Sequence, residues 1–203
     1  MITDAKWIKC KKDTEGAIAF YKTASFDKKV TRALARVSAT GVYNFYVNNV
    51  KVGNALLAPG CTSLNKRVQC QTYDLSALLS EKAEFSVKVA EGWALGRYGT
   101  TEMDVHHVYA DHLSVIAEIE IEYADGSLEF IRTDDTWRVR TTEILFSSLY
   151  DGEIVDTTAA IEDLGYAVID TVKKPELVKD GGVIVKEQER IAPIELIITP
   201  SRP

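Results

Sequence analysis

The feature that most constrains this chain is a two-residue period. From Ala117 to Tyr123, Ala117, Ile119, Ile121 and Tyr123 alternate with Glu118, Glu120 and Glu122. Successive side chains of a strand face opposite ways, so the run predicts a strand with one buried and one solvated face. The pattern recurs. Ala33, Ala35, Val37 and Ala39 share a face opposite Arg36 and Ser38. Tyr43, Phe45 and Val47 alternate with Asn44 and Tyr46, and Phe85, Val87 and Val89 with Ser86 and Lys88. One-sided burial favours antiparallel pairing. Asn48-Asn49 and Asp125-Gly126 stand between such runs as hairpin turns. Before residue 150 one helical stretch is read, Leu75 to Leu79, with Asp74 placed to cap its first turn. Asp151 to Pro175 lacks alternation and reads as loop and short helix wrapping the sheets. Val183–Val185 and Ile194–Ile198 read as late strands. The expected fold is all-β: an antiparallel β-sandwich, jelly-roll-like, with one short helix near 75–79. Residues 1–175 form the sandwich, and 176–203 its final strands and the start of a linker.

Length and charge remove several functions. At about 150 residues per domain, 203 residues make one domain with a short extension. The net charge of −6 carries no basic excess, so no nucleic-acid partner is expected. No apolar run approaches the roughly 18 residues of a membrane-spanning helix, so no membrane partner is expected. Met1 to Glu15 lacks the apolar stretch of a secretory signal. Cys10, Cys61 and Cys70 form an odd set without CxxC spacing. They read as free, buried thiols of a cytoplasmic protein, with a Cys61–Cys70 pair as the alternative. No phosphate loop, dinucleotide fingerprint or Ser-His-Asp order is present, and no cofactor is expected.

The chemistry-bearing residues have bland readings beside sharper ones. Hydrolysis by general acid and base can use two carboxyl groups held near each other. Asp134/Asp135 and Asp151/Glu153 are the local pairs, and both read more simply as turns whose side chains satisfy backbone amides. No catalytic residue is assigned. His106, His107 and His112, beside Asp104 and Asp111, are a metal-like cluster. Adjacent His106 and His107 would face opposite ways if extended, so a polar loop is the simpler reading and no metal is assigned. The Glu118/Glu120/Glu122 row reads as a solvated face that discourages edge pairing. Trp7 and Trp137 read as core or inter-sheet packing. Trp93, with Arg97 and Tyr98, lies in a glycine-rich loop after a strand. These three are the candidates for contacting carbohydrate or a neighbouring domain, because a flat ring covers the apolar face of a sugar. For Trp93 the plainer alternative is packing under its own loop.

An ordered set of motifs is more specific than the periodicity. Gly41-Val42-Tyr43-Asn44-Phe45-Tyr46-Val47-Asn48-Asn49 is followed by Val52-Gly53, Leu57-Ala58-Pro59-Gly60-Cys61-Thr62 and Thr72-Tyr73-Asp74. Gly92-Trp93, Asp125-Gly126, Thr133-Asp134-Asp135-Thr136-Trp137 and Tyr150-Asp151-Gly152-Glu153 come after. The order resembles the N-terminal β-sandwich domain of bacterial α-L-rhamnosidases over about residues 7–200. Cys61 and Cys70 stand where the family has Trp and Tyr, Asn49 where it has Gly, and Val155 where it has Tyr. The resemblance implies a galactose-binding-domain-like sandwich. It implies a parent enzyme hydrolysing terminal α-L-rhamnosyl residues, with its catalytic carboxylates in a helical barrel downstream. This chain is then expected to be a truncated, inactive piece. Its partners would be the downstream domains and rhamnose-containing glycans. The alternatives are a stand-alone carbohydrate-binding module and a purely architectural interface domain.

Overall fold

The computed structural model describes residues 2–99, 105–182, 184–195 and 197. Its strands are β1 (Ile8–Lys9), β2 (Ile18–Ser25), β3 (Val30–Thr40), β4 (Val42–Val47), β5 (Val50–Lys51), β6 (Arg67–Asp74) and β7 (Lys82–Ala90). After helix α1 (Gly92–Leu95) come β8 (Ser114–Tyr123), β9 (Leu128–Arg132), β10 (Arg138–Thr141), β11 (Ile144–Ser148) and β12 (Gly152–Val155). The last are β13 (Asp163–Tyr166), β14 (Val168–Ile169) and β15 (Glu176–Lys179). One sheet runs β14-β1-β8-β3-β6-β15, with β9 extending the β1 edge of β8. The second runs β13-β10-β2-β7-β4-β5, and β11–β12 forms a separate hairpin. Strand pairs among the described residues are antiparallel except β15 with β6, which is parallel.

The alternation determines the layers. Ala33, Ala35 and Val37 from one sheet and Phe20, Phe45, Phe85 and Val87 from the other meet in one core. Burying one such large side chain contributes about 2 kcal/mol. Trp137 is fully buried there, and its indole N–H donates to the Arg132 carbonyl at 2.9 Å, so the polar tip is satisfied. Asn48 and Asn49 have φ of 48° and 66°. That is the doubly left-handed turn whose twist suits a two-residue hairpin. At the second hairpin Gly126 takes φ +79° after Ala124-Asp125, and its N–H closes on the Tyr123 carbonyl at 2.9 Å.

Several expectations are corrected. Leu75 to Leu79 is a single turn, not a helix. Asp74 Oδ1 accepts from the Ser76 N–H at 2.9 Å and the Ser76 hydroxyl at 2.6 Å. Leu78 N–H bonds the Leu75 carbonyl at 2.8 Å. The chain then runs straight into β7, and one turn without propagation is not a stable helix. The four-residue helix sits at Gly92–Leu95 instead. Asp151 to Pro175 holds β12, β13 and β14 rather than a helix. Strands β10 and β1 supply ladder partners to the edge strands β13 and β14 without requiring alternation. Of the late strands, Val183, Leu196 and Ile198 lie outside the described residues. Val185 makes an isolated bridge to Leu56, and Ile194 and Ile197 are exposed outside any strand. Glu118 does not face solvent: its side chain is 2% exposed. Of the thiols, Cys70 is buried, Cys10 half-buried and Cys61 exposed, all unpaired. Burial pushes the Cys70 thiol up to about 11.

Candidate functional site

The Trp93–Tyr98 segment lies where β7 turns away from the sheet. Gly92 has φ +55°, and a Cβ there would stand 2.7 Å from Val42 Cγ1 and 2.8 Å from Val42 N. Only glycine lets α1 close onto the start of β4. Ala94 and Leu95 are buried by that packing, while Trp93 remains half-buried.

Arg97 is committed to a partner within the fold. Its Nε and Nη2 donate to Asp151 Oδ2 and Oδ1 at 3.0 and 2.6 Å, a two-pronged pair. Nη1 donates to the Gly99 carbonyl at 3.4 Å, and the guanidinium stands 5.3 Å from the Tyr150 ring centre. Asp151 also accepts from the Ser148 hydroxyl at 2.9 Å. The hydrogen bonds from Arg97 and Ser148 hold its carboxyl below the usual carboxylate range. A carboxylate held ionised this way is a poor general acid, which needs a raised pKa. Tyr98 is edge-on to Tyr109 with ring centres 6.2 Å apart, and its N–H donates to the Val105 carbonyl at 2.8 Å. Arg97 and Tyr98 therefore share one end of the sandwich with Tyr150, which is 50% exposed. Sequence reading missed Tyr150 and Asp151 as partners of Arg97. The only signal was Asp151 ahead of a glycine, which reads equally well as a turn.

The other constellations disperse. His112 Nε2 lies 2.7 Å from Asp170 Oδ2, whose side chain is fully buried. Lys174 Nζ reaches the same oxygen at 2.5 Å and donates to the Ser114 hydroxyl at 2.8 Å. Burial alone would push Asp170 up, but the bonds from Lys174 and His112 outweigh it and hold the carboxyl at about 2. His106 and His107 are exposed, and Asp104 lies outside the described residues. Asp134 Oδ1 accepts from the N–H and hydroxyl of Thr136, closing a turn. Glu118 is bonded by Arg132 Nε at 2.9 Å and Thr3 Oγ1 at 3.2 Å, with Arg36 Nη1 3.6 Å away. Burial raises its pKa, yet Arg132 and Thr3 bring it below the usual value.

Two antiparallel-built sheets with the Arg97–Asp151 pair and the Tyr98 and Tyr150 rings at one end define a β-sandwich domain. The family described as the alpha-L-rhamnosidase N-terminal domain matches residues 28–183, and the chain belongs to it. An alpha-L-rhamnosidase of Streptomyces avermitilis is 38% identical over 130 residues, covering 64% of this chain and 12% of that protein. The solved alpha-L-rhamnosidase of Aspergillus terreus superposes with a TM-score of 0.80 at 28% identity, covering 87% of this chain and 22% of that one. The S. avermitilis enzyme complexed with L-rhamnose gives 0.78 at 30% identity, over 87% of this chain and 18% of that one. The chain thus spans less than a quarter of the length of each of these relatives.

Proposed function

We propose that this domain is the non-catalytic N-terminal module of an α-L-rhamnosidase. It packs against the domain that removes terminal α-L-rhamnosyl groups and shapes access to it. The observation that carries this reading is the match itself: the domain resembles a 12–22% portion of enzymes bearing that name. The held carboxylates support it, since Asp151 is tied to Arg97 and Asp134 to its own turn.

The Trp93, Arg97 and Tyr98 end is the surface we assign to the neighbouring domain. Arg97 acts there as a positioning residue, fixing the β11–β12 hairpin through Asp151. Leu145, Phe146 and Ile154 on that hairpin are exposed apolar side chains, and clustered exposed apolar surface marks interaction sites. The three unpaired thiols support a reducing, cytoplasmic setting. The test uses p-nitrophenyl α-L-rhamnopyranoside. The domain alone releases no p-nitrophenol, and joined to its hydrolase region it raises that region's thermal midpoint. Release by the domain alone in a clean preparation sinks the reading.

A further inference from the structure

The outer face of the second sheet carries a feature that the module reading leaves unused. Cross-strand register places one row of residues side by side: Tyr166 opposite Arg138, Arg138 opposite Tyr21, Tyr21 opposite Ser86, Ser86 opposite Tyr46, and Tyr46 opposite Lys51. The three tyrosines recur on every second strand, about 9.5 Å apart, and the row from Tyr166 to Tyr46 spans about 19 Å. The adjoining row runs Asp163, Arg140, Ala19, Lys88, Asn44. Cations from the two rows brace the rings. Arg138 stands 5.5 Å from the Tyr166 ring centre, Arg140 4.4 Å from that of Tyr21, and Lys88 5.2 Å from that of Tyr46.

Two hollows of about 470 and 580 Å³ adjoin on this face and share Lys88 and Glu143. The β11–β12 hairpin walls the first, which Tyr46 and Asn44 line; the 157–161 segment walls the second, which Arg140 and Ala19 line. Between the Tyr21 and Tyr46 strands, the Ser86 hydroxyl is buried without a hydrogen-bond partner, alone in this respect among the described side chains. A buried hydroxyl left unsatisfied is costly and needs an explanation.

We infer that this face is a binding platform for an extended, neutral glycan lying across the strands. Tyrosine rings at regular intervals suit a chain that presents an apolar pyranose face at regular intervals. The charges decide against an acidic glycan: Arg140 pairs with Glu84 at 2.7 Å, Lys88 with Glu143 at 2.7 Å, and Arg138 with Asp163. Paired charges offer donors and acceptors to sugar hydroxyls without a net field. The span exceeds one sugar, so the ligand is an oligosaccharide or longer. The inference rests on the module reading only in taking glycans as the relevant chemistry.

The experiment is native electrophoresis of the full 203-residue chain through gels containing hydroxyethylcellulose, galactomannan or arabinoxylan, with polygalacturonate as the charged control. At least one neutral polymer retards the chain, and free L-rhamnose does not compete. Tyr166→Ala, at a ring 63% exposed, weakens retention about tenfold. Tyr21→Phe, which keeps the ring, preserves it. Unshifted mobility in all three neutral gels overturns the proposal. So do retardation by polygalacturonate alone, retention unchanged in Tyr166→Ala, or competition by L-rhamnose. Loss of hydrolase-region binding in Tyr166→Ala without any glycan retention also overturns it, assigning the face to protein docking. p-Nitrophenyl rhamnoside hydrolysis by the longer enzyme is read separately, so failure of the platform and failure of the module reading are distinguishable.

Discussion

The two sheets use the same device on their outer faces and put it to opposite ends. On the first sheet, Arg36, Glu118 and Arg132 lie directly opposite one another on β3, β8 and β9. On the second, Arg138 stands between Tyr166 and Tyr21, and Arg140 and Lys88 brace Tyr21 and Tyr46 from the adjoining row. The first row is covered, with Thr3 bonded to Glu118 and Asp4 3.6 Å from Arg132. The second stands half open. The difference teaches that charge on the polar face of a strand has no fixed meaning. Covered by a chain segment it becomes part of the fold; left uncovered beside rings it becomes a surface that can bind.

The largest expected effect follows from the covered row. Glu118→Ala removes the buried member of the row while Arg36 keeps Glu120 at 3.1 Å and Arg132 keeps Asp4 at 3.6 Å, so the expected loss is about 3 kcal/mol, the low end for breaking a buried pair. Urea denaturation followed by tryptophan fluorescence reads it. A loss under about 1 kcal/mol would put the row with ordinary surface ion pairs and erase the contrast between the faces.

Asp170 comes next. Its Lys174 and His112 bonds hold it at about 2, and Glu118 is lowered as well. In both, the unfolded carboxyl binds protons more readily than the folded one. The stability they contribute is therefore complete above the unfolded value of about 4 and lost as pH falls towards 2. For Asp170 that loss amounts to about 2 kcal/mol. Denaturation midpoints measured from pH 6 to pH 2.5 should fall steeply below pH 4. In Asp170→Asn the baseline is lower and this acid slope is shallower. An unchanged slope would remove Asp170 from the account.

How much of this was legible in the sequence divides along the same line. The alternation in Ala117–Tyr123 located β8 and its inward side, and Asn48-Asn49 located a hairpin, because both signals are local. What lay over Glu118 was not legible, since Arg36, Thr3 and Asp4 are remote in sequence and alternation cannot reveal a cover. The same holds for Arg97, read from the sequence as a site candidate, whose Asp151 partner lies far along the chain. The tyrosine row needs the register of four strand pairs, which no local signal around Tyr21, Tyr46 or Tyr166 carries. Leu75–Leu79 failed differently. Asp74 was correctly placed as a cap, but a cap also closes a single turn, and tertiary context decided the length.

A smaller, local effect belongs to Arg97. Arg97→Ala frees the β11–β12 hairpin from its Asp151 anchor while β11 keeps its backbone bond from Ala17 to Ile144 at 3.0 Å. Amide hydrogen exchange in Ile144–Val155 should quicken with global unfolding unmoved, since weakly packed elements open independently of the core. Uniform exchange changes across both sheets would mean that the hairpin and sandwich open as one unit.

The smallest effect on stability is also the sharpest contrast with Glu118. Tyr166 is 63% exposed, and removing a surface side chain away from caps and core shifts stability by no more than about 0.5 kcal/mol. Its neighbour Arg138 keeps Asp163, so no charge is stranded. Tyr166→Ala should therefore melt like the parent chain while losing glycan retention. Glu118→Ala, refolded at low temperature, should do the reverse: unstable, yet retained in the gel. If instead both variants lose stability and retention together, the two outer faces are coupled through the core, and neither row acts alone.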